Sequence, residues 1–492
     1  MGKIVEEKVK LSGLEICTRV LATIAVVGLV ALAINIIRLN ILPTKFLIPL
    51  SILMIIFAGL VVFFAFFKKK KVFKIIAIVL SVIISAVSGF GFLKLNDTIN
   101  FFSENLGESE NVGIYNIMVN KNSSLDENSD LTGISVYAYR DLTLEKKLIK
   151  KEIKSQVGGE VVFTDEVLET VKMAVEDEDK VVAINAGTYE GFLSDNNEYI
   201  DQLKVIKTVK IKNEVETEKK VVDITEKPFA IYISGIDTRS GTLPDRSLSD
   251  VNILAVINPV ENKVLLVSVP RDYYVQLAGT EEGELKDKLT HAGTVGGVKL
   301  SKATLGELLD VEVNYYIRVN FNFVERLVDA VGGIDVYSDV DYAFTSQTTD
   351  GRGCVFYPGV NSNIGGVCAL AFARERHAYA SGDRHRGENQ EQVIKAILEK
   401  LMGSTTLLSR YSEILNALAG TFETDLGVED MTKFVKKQLD EMKGWSFENS
   451  NLDGTTGPAY TYSYRSQYLS VMFPDETSIE TAKAKIQEIL GE

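Results

Sequence analysis

The fold is decided by residues 227–274, KPFAIYISGIDTRSGTLPDRSLSDVNILAVINPVENKVLLVSVPRDYY. Three apolar runs within this stretch are typical of buried strands: 227–236, 251–259 and 263–270. If the second and third runs pair antiparallel about the turn PVEN, Asp250 falls opposite Arg271. Asp237 ends the first run. We therefore expect two carboxylates and one arginine beyond the strand ends, where ligand sites of α/β sheets commonly lie.

Helices and strands alternate after this stretch. The periodicity predicts helices at 302–310, 322–333, 368–376 and 389–402, and strands at 314–321 and 334–337. This alternation predicts an α/β domain in which helices form layers on a central mixed sheet, an α-β-α architecture. Residues 405–492 are expected to add further helices and a tyrosine-rich strand, YTYSYRSQYLSVMF, at 460–473.

Three long apolar runs come first in the chain: Val20–Ile37, Phe46–Phe67 and Val72–Leu93. Each is near the ~20 residues that cross ~30 Å of hydrocarbon, so we expect a membrane anchor of three helices rather than a cleaved signal peptide. The lysine block Lys68–Lys71 and the basic N-terminus should both remain in the cytoplasm. Residues 95–492 would then be extracellular, and the protein a multi-pass protein of the cell membrane.

The sequence divides into four expected parts: 1–94 with the anchor, 95–225, 226–404 and 405–492. The second part shows two strands, two helices and a strand-to-helix unit, at 112–119, 133–139, 144–157, 165–179 and 180–193. These elements predict a small α/β accessory domain. The polar run 210–220 is interpreted as a linker to the third part, and the fourth part as an extension that packs on the third.

Charge is divided unevenly between the anchor and the remainder. Residues 1–94 carry 12 lysines and arginines against three acidic residues, whereas the remainder carries 41 against 64. So acidic a body excludes nucleic acid as a general partner. Of the three cysteines, Cys354 and Cys368 lie 14 positions apart in the part expected outside the cell. A disulfide between them and a pair of buried thiols are equally compatible with the sequence.

Arginines concentrate in residues 374–390, RERHAYASGDRHRGENQ. Arg386 and Gln390 lie four positions apart, and so on one face of a helix. Arginine presents a planar fork that matches phosphate oxygens, and Mg²⁺ binds through one or two carboxylates together with substrate phosphates. Taken singly, each residue could equally be a turn residue or a solvated surface charge. Together they favour a site for a pyrophosphate.

At these residues the chain resembles the LytR-CpsA-Psr family of bacterial cell-wall enzymes. The resemblance covers about 226–402 and consists of seven ordered blocks: GIDTR, LSDVN, SVPRDYY, DKLTHAG, VNFNFVERLVDAVGGIDV, ALAFARER and GDRHRGENQ. It implies a fold that binds a polyprenyl pyrophosphate and transfers a glycopolymer, teichoic acid or capsular polysaccharide, from the lipid carrier to peptidoglycan. The partners implied are that lipid-linked polymer, peptidoglycan and the bilayer.

The resemblance also assigns roles to single residues. Asp237 and Asp250 would hold Mg²⁺, or alternatively Mn²⁺, and Asp383 would be the base. The pyrophosphate would contact seven residues: Arg239, Arg271, Lys288, Arg374, Arg376, Arg386 and Gln390. Two positions depart from the common family pattern, because Leu248 and Asn389 stand where many members have arginine, and Arg246 lies two residues before the first of them.

Two other functions are compatible with the same residues. A polyprenyl-pyrophosphate hydrolase would use water in place of the sugar acceptor. A non-enzymatic envelope sensor or transcription attenuator would bind the polymer without transferring it, and such a protein would not need the charged site.

Overall fold

The structure, a computed structural model, describes residues 12–68, 70–105, 112–212, 222–236, 243–281, 283–348, 351–380, 382–402 and 410–491. Contacts between backbones group the chain into two compact units. The first, the anchor unit, comprises Met1–Asn105 and Gly427–Lys443, and the second, the body, comprises Leu106–Leu426 and Gly444–Glu492.

The anchor unit contains the three predicted apolar helices: α1 Gly13–Leu39, α2 Thr44–Val62 with a π-helical turn at Phe63–Phe67, and α3 Lys71–Asn105. Each is long and apolar enough to cross a membrane. A capping box begins α1, since the hydroxyl of Ser12 accepts from the amide of Glu15 and the Glu15 carboxylate accepts from the Ser12 amide.

The helix Val428–Glu441 also belongs to the anchor unit. It contacts the end of α1 and the start of α2 through side chains. The ammonium of Lys436 donates to the side-chain oxygen of Asn40 at 2.9 Å, and Lys45 forms an ion pair with Asp440 at 3.6 Å. A segment near the C-terminus therefore packs with the helices at the N-terminus, whereas the sequence placed all of 405–492 with the body.

The accessory part of the body is a five-stranded sheet with the order β3-β2-β4-β1-β5. Its elements are β1 Val112–Asn120, β2 Ser135–Tyr139, α4 Lys146–Val157, β3 Glu160–Thr164, α5 Val167–Glu176, β4 Val181–Asn185, α6 Ala186–Asp195 and β5 Leu203–Lys212. Strands β3 and β5 were not predicted. The expected linker at 210–220 is wrong at its start, because residues 210–212 pair with β1.

The main sheet has six strands in the order β16-β11-β6-β7-β8-β17. Its strands are β6 Phe229–Ile236, β7 Val251–Asn258, β8 Lys263–Ser268, β11 Tyr315–Asn320, β16 Phe422–Thr424 and β17 Ser446–Asn451. Strands β6, β7 and β8 are antiparallel neighbours, while β11 runs parallel to β6 and β17 parallel to β8. The mixed sheet expected from the sequence is confirmed.

Helices cover both faces of this sheet, which confirms the α-β-α layering. On one face, Tyr232 and Leu254 pack against Leu305 and Ile486. These last two residues come from α7 Leu289–Leu309, which is broken at Gly297 (φ 70°), and from α13 Glu476–Leu490. The remaining helices are α8 Phe321–Ala330, α9 Gly366–Arg374, α10 Asp383–Met402, α11 Tyr411–Leu418 and α12, the helix Val428–Glu441 already described.

Two small antiparallel sheets of two strands each lie beside α9 and α10. They are formed by β12 Ile334–Ser338 with β15 Gly359–Ile364, and by β13 Phe344–Gln347 with β14 Gly353–Phe356. Cys354 on β14 is joined to Cys368 on α9 by a disulfide. Of the two states compatible with the sequence, the structure therefore has the disulfide, which fastens the β13–β14 hairpin to α9.

The tyrosine-rich segment is only partly a strand. A two-stranded sheet is formed by β18 Gly454–Ala459 and β19 Leu469–Pro474, and residues 460–468 are the loop that joins them. The short strands β9 Tyr274–Val275 and β10 Asp287–Lys288 lie beside it, where the amide of Met472 donates to the carbonyl of Asp272 at 2.8 Å. The predicted continuous strand at 460–473 is thus wrong over its first nine residues.

Candidate functional site

Asp250 and Arg271 meet at the edge of the main sheet. Ile253 pairs with Ser268 in the β7–β8 hairpin, and continuing this register places Asp250 opposite Arg271. The Asp250 amide donates to the carbonyl of Gly235 at the end of β6, at 2.8 Å. A guanidinium nitrogen of Arg271 lies 2.9 Å from a carboxylate oxygen of Asp250. The predicted convergence of these two residues is confirmed.

Two other residues predicted at this edge, Asp237 and Arg239, lie outside the described residues. The strand that precedes them, β6, ends at Ile236 beside the start of β7. Their assigned roles therefore stay predictions.

Helices α9 and α10 supply the remaining polar residues of the same site. Arg374 is the last residue of α9, Arg376 follows it, and Arg386 and Gln390 are one turn apart on α10. All four side chains line one cavity together with Asp250 and Arg271. The guanidinium carbon of Arg374 lies 4.5 Å from the centroid of the Phe321 ring, a cation–π contact that orients it.

The cavity continues away from these residues as an apolar tunnel of about 1310 Å³ in total. Its walls come from β11, α8, α9, α10 and α11, with residues such as Val319, Phe323, Leu327, Leu370, Val393, Ile397, Leu401, Ile414 and Leu418. On α10 the tunnel residues follow Gln390 at helical spacing, so a single face of this helix carries both polar and apolar lining. The site thus fits a ligand with an anionic head and a long apolar tail.

Glu375 is a cavity residue that the sequence did not identify as functional. Its carboxylate accepts hydrogen bonds from the backbone amides of Arg376, His377 and Ala378, at 2.9, 2.6 and 3.1 Å. Burial raises the pKa of Glu375, but the hydroxyl of Ser346 and these amides together hold it below its usual value. The ionised carboxylate therefore fixes the turn that carries Arg376. Its one sequence signal was its place between two arginines.

Lys288, which the resemblance assigns to the pyrophosphate, lies away from the cavity. The ammonium of Lys288 forms an ion pair with Asp272 at 3.0 Å and does not line the cavity. Arg384, another arginine of α10, does not line the cavity either and pairs with Asp453 at 2.5 Å. Asp383 begins α10, but its side chain lies outside the described part.

Arg246 is buried away from the cavity. Its guanidinium forms an ion pair with Asp141, which follows β2 in the accessory part, and donates to the carbonyl of Val295 at 2.6 Å. Asp141 also accepts from the hydroxyl of Tyr115 at 2.5 Å and from the amide of Thr143 at 2.7 Å. Since Arg246 precedes Asp250 by four residues, this network ties the segment before the site to the accessory part.

Glu391 lies on the back of α10, facing β8 and β17. Its side chain is fully buried, and burial, together with the nearby Glu388 carboxylate, raises the pKa of Glu391 to about 9. The helix approaches β8 closely here: Gly387 has no Cβ, and a Cβ at this position would lie only 2.8 Å from the Ser268 hydroxyl. With a pKa of about 9, the Glu391 carboxyl is protonated at neutral pH, and as a neutral group it is buried between α10 and the main sheet.

No group of three or more His, Cys, Asp or Glu side chains suited to a metal occurs within the described ranges. Mg²⁺ does not require such a group, since it commonly binds one or two carboxylates and completes its shell with phosphate oxygens and water. Asp250, at the polar end of the cavity, is chemically suited to that role.

Comparison with known proteins yields consistent likenesses. The family described as LytR_cpsA_psr matches residues 199–486. The polyisoprenyl-teichoic acid–peptidoglycan teichoic acid transferase TagU of Enterococcus faecalis is 35% identical over 240 residues, which cover 47% of this chain and 75% of that protein. The transferase of the same name from Bacillus mycoides is 34% identical over 253 residues, 51% of this chain and 77% of that protein. The crystal structure of B. subtilis TagV is similar with a TM-score of 0.45 and 25% identity, covering 55% of this chain and 99% of TagV.

Proposed function

This chain belongs to the LytR-CpsA-Psr family, and we propose that it is a membrane-anchored phosphotransferase that moves a glycopolymer of the teichoic acid class from a polyprenyl-pyrophosphate carrier to peptidoglycan. The observation that carries this proposal is the cavity, in which four arginines meet one end of an apolar tunnel. A polyprenyl pyrophosphate has the same two parts in the same order. The names of the transferases similar to this chain support the choice of polymer and acceptor.

The arginines would grip the pyrophosphate. Arg374 ends α9, Arg376 lies in the turn after it and Arg386 is on α10, and all three line the cavity, so their planar forks can bind several phosphate oxygens at once. Arg271 is already oriented by Asp250, which reduces the entropy lost when it binds. Charge that builds on the phosphoryl oxygens during transfer would be offset by donors fixed in advance.

The proposed reaction is a displacement at phosphorus. A hydroxyl oxygen of a peptidoglycan sugar attacks the sugar-proximal phosphorus, the new oxygen–phosphorus bond forms, and the polyprenyl phosphate leaves. The hydroxyl proton passes to a base, for which Asp383 remains the candidate from the sequence. The arginines stabilise the leaving phosphate, so no covalent intermediate on the protein is required.

We further propose that Mg²⁺ assists this reaction. Asp250 would hold the ion with Asp237 and phosphate oxygens, and a bound Mg²⁺ would supply positive charge that polarises the phosphoryl oxygens. Asp250 lines the cavity beside Arg271, which supports its place in such a site.

For location, we propose the topology expected from charge. Three helices of the anchor unit are suited to span the membrane, and the lysines between the second and third favour the cytoplasmic side. The body would then act outside the cell, next to the leaflet that holds the lipid carrier.

The test uses the full chain in nanodiscs with a lipid-linked polymer, with and without peptidoglycan. The expected product is polymer attached to peptidoglycan, formed by the wild type and by Arg384→Ala but lost in Asp250→Ala and in excess chelator, with recovery when Mg²⁺ is added back. Release of polymer at the same rate without peptidoglycan would identify a hydrolase instead. Full turnover in chelator would refute the metal.

A further inference from the structure

Two stacked tyrosines stand exposed at the closed end of the β18–β19 hairpin. Tyr460 follows Ala459 and Tyr468 precedes Leu469, which together form the last pair of the sheet, so the two tyrosines face each other across the hairpin. Their ring centroids are 4.0 Å apart with an interplanar angle of 27°. Tyr468 is 63% exposed and Tyr460 39% exposed, although large aromatic side chains are normally covered.

This aromatic pair continues a surface that begins at the polar end of the cavity. Arg271 lies 3.5 Å from the Asp272 carboxylate, and Asp272 in turn pairs with Lys288. Tyr274 is opposite Lys288 in the β9–β10 pair, so these two side chains share one face. The Tyr274 hydroxyl donates to the carbonyl of Tyr460 at 2.8 Å.

The surface has a second aromatic contact at Tyr274. Its ring meets the Phe473 ring edge-to-face at 5.6 Å, and Phe473 is itself 37% exposed. Only Asp272 and Tyr273 separate Tyr274 from Arg271, and three chain steps span at most about 10 Å between Cα atoms. The tyrosines therefore lie within a few sugar units of the residues that would hold the reacting phosphate.

The loop that carries the pair is fixed at several points, unlike an ordinary hairpin tip. The buried carboxylate of Asp287 accepts from the amide and the hydroxyl of Ser463, at 2.8 and 2.5 Å. From the accessory part, Glu166 accepts from the amide of Arg465 at 3.0 Å and from the hydroxyl of Ser466 at 2.7 Å. A loop held from both sides keeps its exposed rings in one arrangement before any ligand binds.

We propose that Tyr460 and Tyr468, extended by Tyr274 and Phe473, form the platform on which the acceptor glycan strand of peptidoglycan binds. This rests on the proposed transferase function, and it assigns the accessory part the role of bracing the platform through Glu166. The flat face of a pyranose ring presents C–H groups that pack on aromatic rings, while its hydroxyl groups point outward to water and to polar neighbours.

The acceptor fits this surface better than the donor polymer does. The donor is already held by its lipid tail and pyrophosphate, whereas the acceptor needs a separate binding surface. A phosphate-rich polymer would favour uncompensated cations, but two cations near the platform are paired, Lys288 with Asp272 at 3.0 Å and Arg140 with Glu284 at 3.3 Å. A neutral aromatic surface suits the uncharged rings of a glycan strand.

The test measures binding of a peptidoglycan-derived tetrasaccharide to the full chain in phosphatidylcholine nanodiscs by calorimetry. The doubly substituted variant Tyr460→Ala/Tyr468→Ala should bind on the order of tenfold more weakly, because two stacking contacts are lost. Tyr460→Phe/Tyr468→Phe should keep most of the affinity, since it retains the rings. In the transfer assay the alanine variant should raise KM for the acceptor with little change in kcat.

The matched control is Tyr357→Ala, which removes another exposed tyrosine outside the platform. It should bind the tetrasaccharide as the wild type does, and both alanine variants should bind polyprenyl pyrophosphate normally. Unchanged tetrasaccharide affinity in the double alanine variant would overturn the platform, as would a loss confined to the lipid-linked polymer. If the tyrosines govern tetrasaccharide binding but the wild type transfers no polymer, the transferase function fails while the platform stands.

Discussion

The buried ion pair between Arg246 and Asp141 permits a quantitative test of how the accessory part supports the site. The exposed fractions of the Arg246 and Asp141 side chains are 6% and 1%, so water does not solvate either charge and each is stabilised by the other. Removing one partner of such a pair costs about 3–5 kcal/mol in the free energy of unfolding. Burial raises the pKa of Asp141, but Arg246 and the hydrogen bonds from Tyr115 and Thr143 hold it below its usual value.

The two single substitutions should differ. In Arg246→Ala, Asp141 keeps its hydrogen bonds from Tyr115, Thr143 and Leu144, so the cost should be near ~3 kcal/mol. In Asp141→Ala the guanidinium remains buried with only neutral acceptors such as the Val295 carbonyl, so the cost should approach ~5 kcal/mol. The double variant should cost less than the sum of the two single costs, with a coupling of about 2 kcal/mol.

Urea unfolding of the full chain in micelles, followed by tryptophan fluorescence, measures these values. Trp445 is the single tryptophan of the sequence, and it packs against the main sheet, so its signal reports on the body. The control is Lys154→Ala, which removes an exposed ion pair with Glu160 and should cost about 0–1 kcal/mol. A cost below ~1 kcal/mol for Asp141→Ala, or additive single costs, would refute the reasoning.

Three further predictions concern the site and its supports. Arg374→Lys keeps a charge but loses the planar fork, so polyprenyl-pyrophosphate affinity should fall about tenfold or more, whereas Arg384→Ala should change it little; the reverse order would place the site elsewhere. The pKa of Glu391 is raised to about 9, so its contribution to stability is full below the unfolded pKa of ~4.3 and is lost as pH rises through 9. The free energy of unfolding should therefore fall more between pH 5 and pH 8.5 in the wild type than in Glu391→Gln. An equal fall in the two proteins would contradict a neutral carboxyl. Replacing both Cys354 and Cys368 by serine opens a 15-residue loop and should cost about 3 kcal/mol, measured by thermal unfolding, with an unchanged midpoint as the contrary result.

The placement of Asp250 opposite Arg271 could be predicted from the sequence because it depends on local chain geometry. A short turn fixes the register of the β7–β8 hairpin, and the register fixes which residues meet at its open end. The same holds for Arg386 and Gln390, whose spacing on one helix places them together. These parts of the site required no knowledge of distant contacts.

The partners of Lys288 and Arg246 could not be predicted in this way. Each cation lies near several acidic residues along the chain, but tertiary packing gives it a more distant partner instead. Arg246 finds Asp141, which is 105 positions away. Nothing in the local pattern distinguishes an arginine that binds substrate from one that fastens two sheets together.

The prediction of a continuous strand at 460–473 is wrong for a related reason. Its tyrosines have high β-propensity, and their alternation with small polar residues is typical of a strand. Yet Tyr462 and Tyr464 are buried within a loop, where hydrogen bonds to Asp287 and Glu166 replace the pairing of a strand. Side-chain acceptors from remote elements therefore decided the conformation against the local preference.

The single face of α10 that carries both Gln390 and the tunnel residues has a consequence for selectivity. A soluble sugar diphosphate could satisfy the arginines, but it would leave the apolar wall beyond them in contact with water. A long hydrocarbon chain buries that wall and gains roughly 25 cal/mol for every Å² covered. The cavity would thus reject water-soluble competitors through the part of the ligand farthest from the chemistry, and the affinity for a carrier should increase with the number of its isoprene units until the tunnel is full.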